Sequence, residues 1–305
     1  AYDSRFIYIL MFLVAFFWGL AWPVGRIIAT DLVDYPYSVM FFRYLFAIPV
    51  LFGWLWFKEG NVVPLKRDYS YLLLLAFTSV FLYQFGYMFG MQKTAASDAS
   101  LIIGFNPVSV SLLSVFILSH SITRNGMIGI FLSFTGVLLI FLASPNVDIN
   151  FSDRLIGNAY IMFGAFAYAI YVVAMRRYVL VVSENPLSSL ATISWTSLIG
   201  CLMFVPFVIN ESPWNRVWEN EEWALIAYLG VLSTALCYVF FAMGVETIGA
   251  NKAASFINVV PIFGILSSWL WIGEELGLVQ IVSFILIYYG VKLVNQQPSE
   301  SLRST

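Results

Sequence analysis

The chain has 305 residues, of which 61% are hydrophobic and 10% charged, with a mean hydropathy of +0.86 and a formal net charge of −2. So few charges could not cover so much apolar surface in water, which excludes a water-soluble fold of this length. The apolar residues run in continuous blocks of about twenty, the length that carries a helix across about 30 Å of hydrocarbon, and their lack of alternation disfavours a transmembrane β-barrel.

In chain order, spans are expected at about 6–30, 36–57, 69–91, 95–118, 124–142, 155–178, 186–210, 223–246, 249–272 and 276–295. The first run is too long for a signal-peptide core, lacks an A-x-A-like site after it and is followed by nine more, so it reads as a first span. Punctuation between the runs is short: Asp34-Tyr35-Pro36, Gly60 with Pro64, Ser144-Pro145-Asn146, Asn185-Pro186 and Ser212-Pro213. The pattern predicts an all-α polytopic membrane protein of ten transmembrane helices with no room for a separate soluble domain. Cys201 and Cys237 fall inside spans, away from any Cys or His cluster, and suggest neither a disulfide framework nor a zinc site.

The chain also repeats itself. AASDASLIIGFNPVSVSLLSVFIL, from Ala95, lies on GANKAASFINVVPIFGILSSWLWI, from Gly249, at a shift of 154 that pairs Pro107 with Pro261. Without a gap, the same register pairs Gly90 with Gly244, Ser114 with Ser268 and Gly136 with Gly290, and eleven of fifty positions from Gly90 to Leu139 are identical. A second register, shifted by 150, pairs Pro36 with Pro186, Trp18 with Tyr168 and Arg26 with Arg176. Two repeats are expected, at 6–142 and 155–295. Each holds five helices, and an odd number turns the second copy upside down, the arrangement of many secondary transporters, whose substrate sites lie near the midplane between the halves.

Orientation follows from Lys and Arg near the span ends. With the N-terminus inside, Arg5, Lys58, Lys66, Arg67, Arg124, Arg176, Arg177, Lys252, Lys292 and Arg303 are cytoplasmic, against Arg26, Lys93, Arg154 and Arg216 outside. Ten against four places both termini in the cytoplasm.

Candidate site residues are the polar and aromatic side chains at mid-span depth. Asn106 precedes Pro107, and Asn258 lies three residues before Pro261. A proline leaves a helix carbonyl unpaired, so these amides serve either kink repair and helix contacts or a ligand. Ser255 shares the face of Asn258, where helix packing is the alternative. Trp18 with Trp22, Tyr83 with Tyr87, and Tyr168 with Tyr171 stand three or four apart on shared helix faces, and Tyr238 is central in its span. Away from the interfaces their OH and NH groups need a cavity wall or a helix–helix hydrogen bond.

Among the charges, Arg43 is expected to snorkel outward in a structural role. Lys252 and Glu246 flank one tight turn and Lys93 and Asp98 the matching one; they are possible gates, with solvated loop charges the commoner case. Glu274 and Glu275 are expected to be solvated. No Asp or Glu is placed at mid-span, so a proton-coupling carboxylate is missing. His120 is the only histidine, at a loop edge, and HExxH, G-x-S-x-G, paired mid-membrane aspartates and a phosphate-binding glycine loop are all absent, so no enzyme is expected. The expected partners are a small-molecule substrate and the lipid bilayer, with no cofactor, metal or nucleic acid.

WGLAWPVGR at Trp18, Arg43 in the second span, ASLIIGFNPV at Ala99, ASFINVVPIFG at Ala254 and GEE at Gly273 together resemble the drug/metabolite transporter superfamily, in its ten-helix branch with two EamA repeats. The resemblance spans about residues 10–294. It implies a five-plus-five inverted repeat, a central cavity lined by helices 1, 3, 4, 6, 8 and 9, alternating access, and export of amino acids or related metabolites from the inner membrane. The first half reads SHS at Ser119 where the second reads GEE, so any role of that glutamate is confined to the second half. Two relatives in the superfamily are rivals: a sugar-phosphate or nucleotide-sugar exchanger, which would place two or more Lys or Arg in the cavity, and an exporter of lipophilic cations, which would bring a buried carboxylate. An intramembrane receptor or scaffold would have no use for inverted repeats.

Overall fold

The computed structural model describes residues 3–118, 121–179 and 185–296. Ser119, His120 and Arg303, named above, lie outside them. Ten helices among the described residues are long and apolar enough to cross a membrane: α1 (Arg5–Asp31), α2 (Pro36–Glu59), α3 (Lys66–Met91), α4 (Ala96–Ile117), α5 (Arg124–Ala143), α6 (Phe151–Arg177), α7 (Ser189–Glu211), α8 (Asn220–Ile248), α9 (Lys252–Ile272) and α10 (Leu278–Asn295).

Local chemistry sets their ends. Asp3, Thr123, Asn150 and Ser188 are N-caps whose side chains accept from backbone N–H groups of the first turn. The Asn150 cap starts α6 at Phe151, a turn before the expected 155. Gly249, at φ +87°, turns the chain directly from α8 into α9, and Gly273, at φ +69°, ends α9; both conformations favour glycine.

Two spans expected to be continuous are broken. α4 divides into Ala96–Ile103 and Asn106–Leu118, and α9 into Ala250–Ile257 and Val260–Ile272. Each break falls where Pro107 or Pro261 has no N–H for the carbonyl four residues back, that of Ile103 or Ile257, and the ring crowds it. The breaks coincide under the shift of 154. So do two π-helical stretches, Phe77–Leu82 in α3 and Tyr228–Leu236 in α8.

The inverted repeat is visible in its contacts. A Cβ on Gly129 would stand 2.4 Å from the Gly290 carbonyl oxygen, and one on Gly136 would stand 2.9 Å from that of Ser283. The shift carries Gly136 onto Gly290 and Gly129 onto Ser283, so the two contacts exchange, as a twofold axis between α5 and α10 requires. Small residues let these backbones approach closely. Similarly Ser38 and Ser188, aligned at the shift of 150, each meet a carboxylate from the C-terminal end of the other's helix: Ser38 Oγ donates to Glu211 at 2.6 Å, and Ser188 Oγ to Glu59 at 2.8 Å.

The bundle has two ends. One, here the terminal end, holds the start of α1, the end of α10 and the facing ends of α2 and α3, α4 and α5, α6 and α7, and α8 and α9; the other is the far end. A single apolar cluster joins all ten helices, from Ile28 and Val39 at the far end through Met88, Ile102 and Ile161 to Phe204, Ile226 and Ile265, with Val137 of α5 among them, and follows α10 as far as Val291 toward the terminal end. At the terminal end the core is split. Ile7, Leu51, Leu190, Val239 and Ala253 hold α1, α2, α7, α8 and α9 together, whereas Val110, Ala169 and Val173 form a separate cluster of α4 and α6. Outward-facing Phe116, Phe131, Leu270 and Leu278 are 70–82% exposed and give the apolar surface that a bilayer requires.

Candidate functional site

Between the split clusters lies a cavity of about 1220 Å³. Thr123, Arg176, Val245, Lys292 and Gln296, all at terminal ends of helices, form its mouth, and its blind end lies among α1, α2, α3 and α8.

The wall carries aromatic side chains from α1, α3, α6 and α8. Trp18 Nε1 donates to the Ser233 carbonyl oxygen at 2.8 Å, within the widened part of α8, and its ring meets Tyr238 at 5.8 Å. Tyr87 Oη donates to the Ala21 carbonyl oxygen at 2.5 Å, and its ring stands 5.3 Å from that of Trp22. Gly25 leaves the room: a Cβ there would sit 1.8 Å from the Tyr87 hydroxyl. Tyr83 faces Tyr168 at 5.5 Å across the α3–α6 contact.

Trp18, Trp22, Tyr83, Tyr87, Asn106, Tyr168, Tyr238, Ser255 and Asn258 all line this cavity. The buried Oδ1 of Asn106 has no hydrogen-bond partner among the described residues. Tyr171 stands apart from the lining, its ring 5.2 Å from that of Tyr168. Neither gate candidate lies in the wall: Lys252 is exposed, and Glu246 forms a 2.8 Å ion pair with Lys58.

Arg43 requires a correction. Its side chain turns inward and is buried at 8% exposure in the cavity wall. Nε donates to Thr234 Oγ1 at 3.0 Å and Nη1 to Gln84 Oε1 at 3.2 Å, while the guanidinium lies 5.4 Å from the Tyr87 ring centre. Thr234 Oγ1 is itself set by its bond to the Leu229 carbonyl, five residues back in the π-helical register. Thus Arg43 is met by neutral oxygens and an aromatic face, and it forms no ion pair among the described residues. At seven residues into α2 it is roughly 10 Å along the helix; the oxygens of Thr234 and Gln84 and the Tyr87 ring hold it there instead of water. Its partners Gln84 and Thr234 were missed in the sequence, although an ionisable residue inside a span is by default a functional candidate. The charged lining residues are Arg43, Arg176 and Lys292, all cationic, and no Asp or Glu is among them.

The far end is sealed by carboxylates expected to be solvated. Glu274 accepts from Ala96 N at 2.6 Å, Ser97 N at 2.8 Å and Ser97 Oγ at 2.5 Å, so the end of α9 caps the start of α4. Asp98 is fully buried and accepts from Ser144 Oγ, from Asn146 Nδ2 at 3.3 Å and from Gln280 Nε2 at 3.1 Å. The tight α3–α4 connection tucks it under the α5–α6 loop. Lys93, its neighbour in sequence, pairs with Asp153 at 2.8 Å.

Residues 5–142 and 155–296 match the model of the EamA-like transporter family. An uncharacterized transporter of Archaeoglobus fulgidus is 25% identical over 260 residues, 85% of this chain and 87% of its own. Uncharacterized transporter YyaM of Bacillus subtilis is 27% identical over 261 residues, 84% of this chain and 83% of its own. A solved crystal structure at 14% identity superposes with a TM-score of 0.62 over 94% of this chain and 98% of its own, which speaks for the fold. With both repeats matched, ten membrane-crossing helices and a cavity between inverted halves, the chain belongs to the EamA-like transporter family.

Proposed function

We propose that this transporter exports amino acids or similar small amphipathic metabolites by alternating access. The observation that carries the reading is the aromatic cavity between the halves, open at one end and sealed at the other. Trp18, Trp22, Tyr83, Tyr87 and Tyr238 hold the apolar part of the substrate by stacking, and Asn106, Asn258 and Ser255 hydrogen-bond its polar end. Residues 6–142 rock against 155–295 about this site. The Lys and Arg distribution supports cytoplasmic termini, and membership of the family supports a cell's inner membrane. The open mouth then faces the cytoplasm, where an exporter loads.

A lining without Asp or Glu disfavours lipophilic cations. Arg176 and Lys292 at the mouth, with Arg43 deeper, favour a second reading, exchange of sugar phosphates, because two or more cations can meet a phosphate. Counterflow in proteoliposomes separates the two. Vesicles loaded with unlabelled amino acid are expected to take up labelled aromatic amino acid saturably; exchange of glucose 6-phosphate in its place rejects amino-acid export. Tyr83→Ala and Asn258→Ala are expected to lower this exchange at least tenfold, and full activity in both removes them from the site.

A further inference from the structure

We infer that Arg43 is the anion site of the cavity and takes the carboxylate of a small organic acid whose apolar body lies among Trp18, Trp22 and Tyr87. The inference rests on the reading of the cavity as a substrate site and specifies the charge of its occupant.

Three observations carry it. First, Arg43 is a buried guanidinium whose bonds go to Thr234 and Gln84, both neutral. A guanidinium has five N–H donors in a planar fork, so two bonds leave others for an occupant, and a carboxylate matches that fork bidentately. Second, among the described residues no acidic side chain lines the cavity, so an anionic occupant meets no fixed negative charge there and a cationic one meets no fixed counter-ion. Low-dielectric surroundings strengthen that discrimination. Third, Arg43 is the one cation at the blind end among the described residues; Arg176 and Lys292 are exposed at the mouth, with Arg176 roughly 12 Å along α6 from Tyr168 at 1.5 Å per residue. A single deep guanidinium balances a carboxylate, whereas a phosphate dianion beside it would keep an unmatched charge.

Three probes differing only in charged group test this on the full chain: 3-phenylpropionate carries the carboxylate alone, L-phenylalanine both groups, and phenethylamine the ammonium alone. Binding is read as the rise in melting temperature that a ligand of the folded state produces. The wild type is expected to be stabilised by 3-phenylpropionate and L-phenylalanine at concentrations at least tenfold below any effect of phenethylamine. Arg43→Gln is expected to weaken 3-phenylpropionate at least thirtyfold and leave phenethylamine unchanged, and Arg43→Lys, which keeps the charge but loses the fork, to fall between.

Phenethylamine binding as tightly as 3-phenylpropionate overturns the inference, as does failure of both carboxylates to bind. So does Arg43→Gln holding 3-phenylpropionate within threefold, or glucose 6-phosphate binding tighter than both carboxylates. The wild-type comparison stands even if Arg43→Gln does not fold. Arg43-dependent binding of 3-phenylpropionate without counterflow of any amino acid supports the anion site and rejects amino-acid export; amino-acid counterflow that Arg43→Gln leaves intact does the reverse.

Discussion

At the far end of the bundle, Glu274 ties the end of α9 to the start of α4, Asp98 ties α4 to the α5–α6 loop and to α10, and one apolar cluster spans all ten helices. The stretch of the first repeat aligned with Gly273-Glu274-Glu275 reads SHS; at the terminal end the apolar core is split in two, and the cavity opens between the parts. An inverted repeat makes the two ends equivalent in backbone. The difference therefore lies in side chains: carboxylates over helix N-termini, where the exposed N–H groups favour negative charge, close one end and have no acidic counterpart at the other in the 154 register.

Breaking the far end is expected to have the largest effect. Asp98→Ala leaves the donors of Ser144, Asn146 and Gln280 without their acceptor in a buried place, at about 3–5 kcal/mol in sum. A drop in melting temperature of the detergent-solubilised protein checks this, and an unchanged value would show that Asp98 does not hold the seal. Glu274→Ala removes three bonds to the start of α4 but sits nearer water, and about 2–3 kcal/mol is expected. If that energy holds the far end shut, a cysteine at the buried Leu101 becomes more reactive to a membrane-impermeant thiol reagent from that side, by tenfold or more.

Two smaller changes at the terminal end sharpen the contrast. Glu59→Ala removes the acceptor of Ser188 Oγ, an exposed contact worth about 0.5–1 kcal/mol. Glu246→Gln dissolves an ion pair in which both side chains are 31–58% exposed, and its melting temperature is expected to move by no more than about 0.5 kcal/mol in equivalent stability. If either change destabilised the protein as much as Glu274→Ala, the contrast between the ends would be void.

Much of this architecture was legible in the chain. Hydropathy and length located the spans, and the aligned Pro107 and Pro261 marked where two helices would kink, since a missing N–H acts wherever the surroundings place it, although the full breaks there were not expected. The mid-span aromatic residues were legible as a group, because Tyr and Trp in a bilayer need partners for their polar tips; that Tyr171 stands behind Tyr168 and outside the wall was not, because neighbouring positions on one helical face differ by a rotation that only packing sets.

Charges were read least well. Asp98 and Glu274 sit at span ends, where solvation is the default, and only the meeting of segments 178 and 182 residues apart turns them into capping and buried groups. Arg43 was misread for the same reason. Nothing near it in sequence says that Gln84 and Thr234, from two other helices, supply oxygens that hold its guanidinium inward. By itself the sequence determined the helices, their number and the inverted repeat, because these follow from local hydrophobicity, backbone chemistry and internal similarity. Only the tertiary structure decided which end is sealed and that the cavity wall is cationic, because both depend on polar groups from distant helices finding one another in a low-dielectric interior.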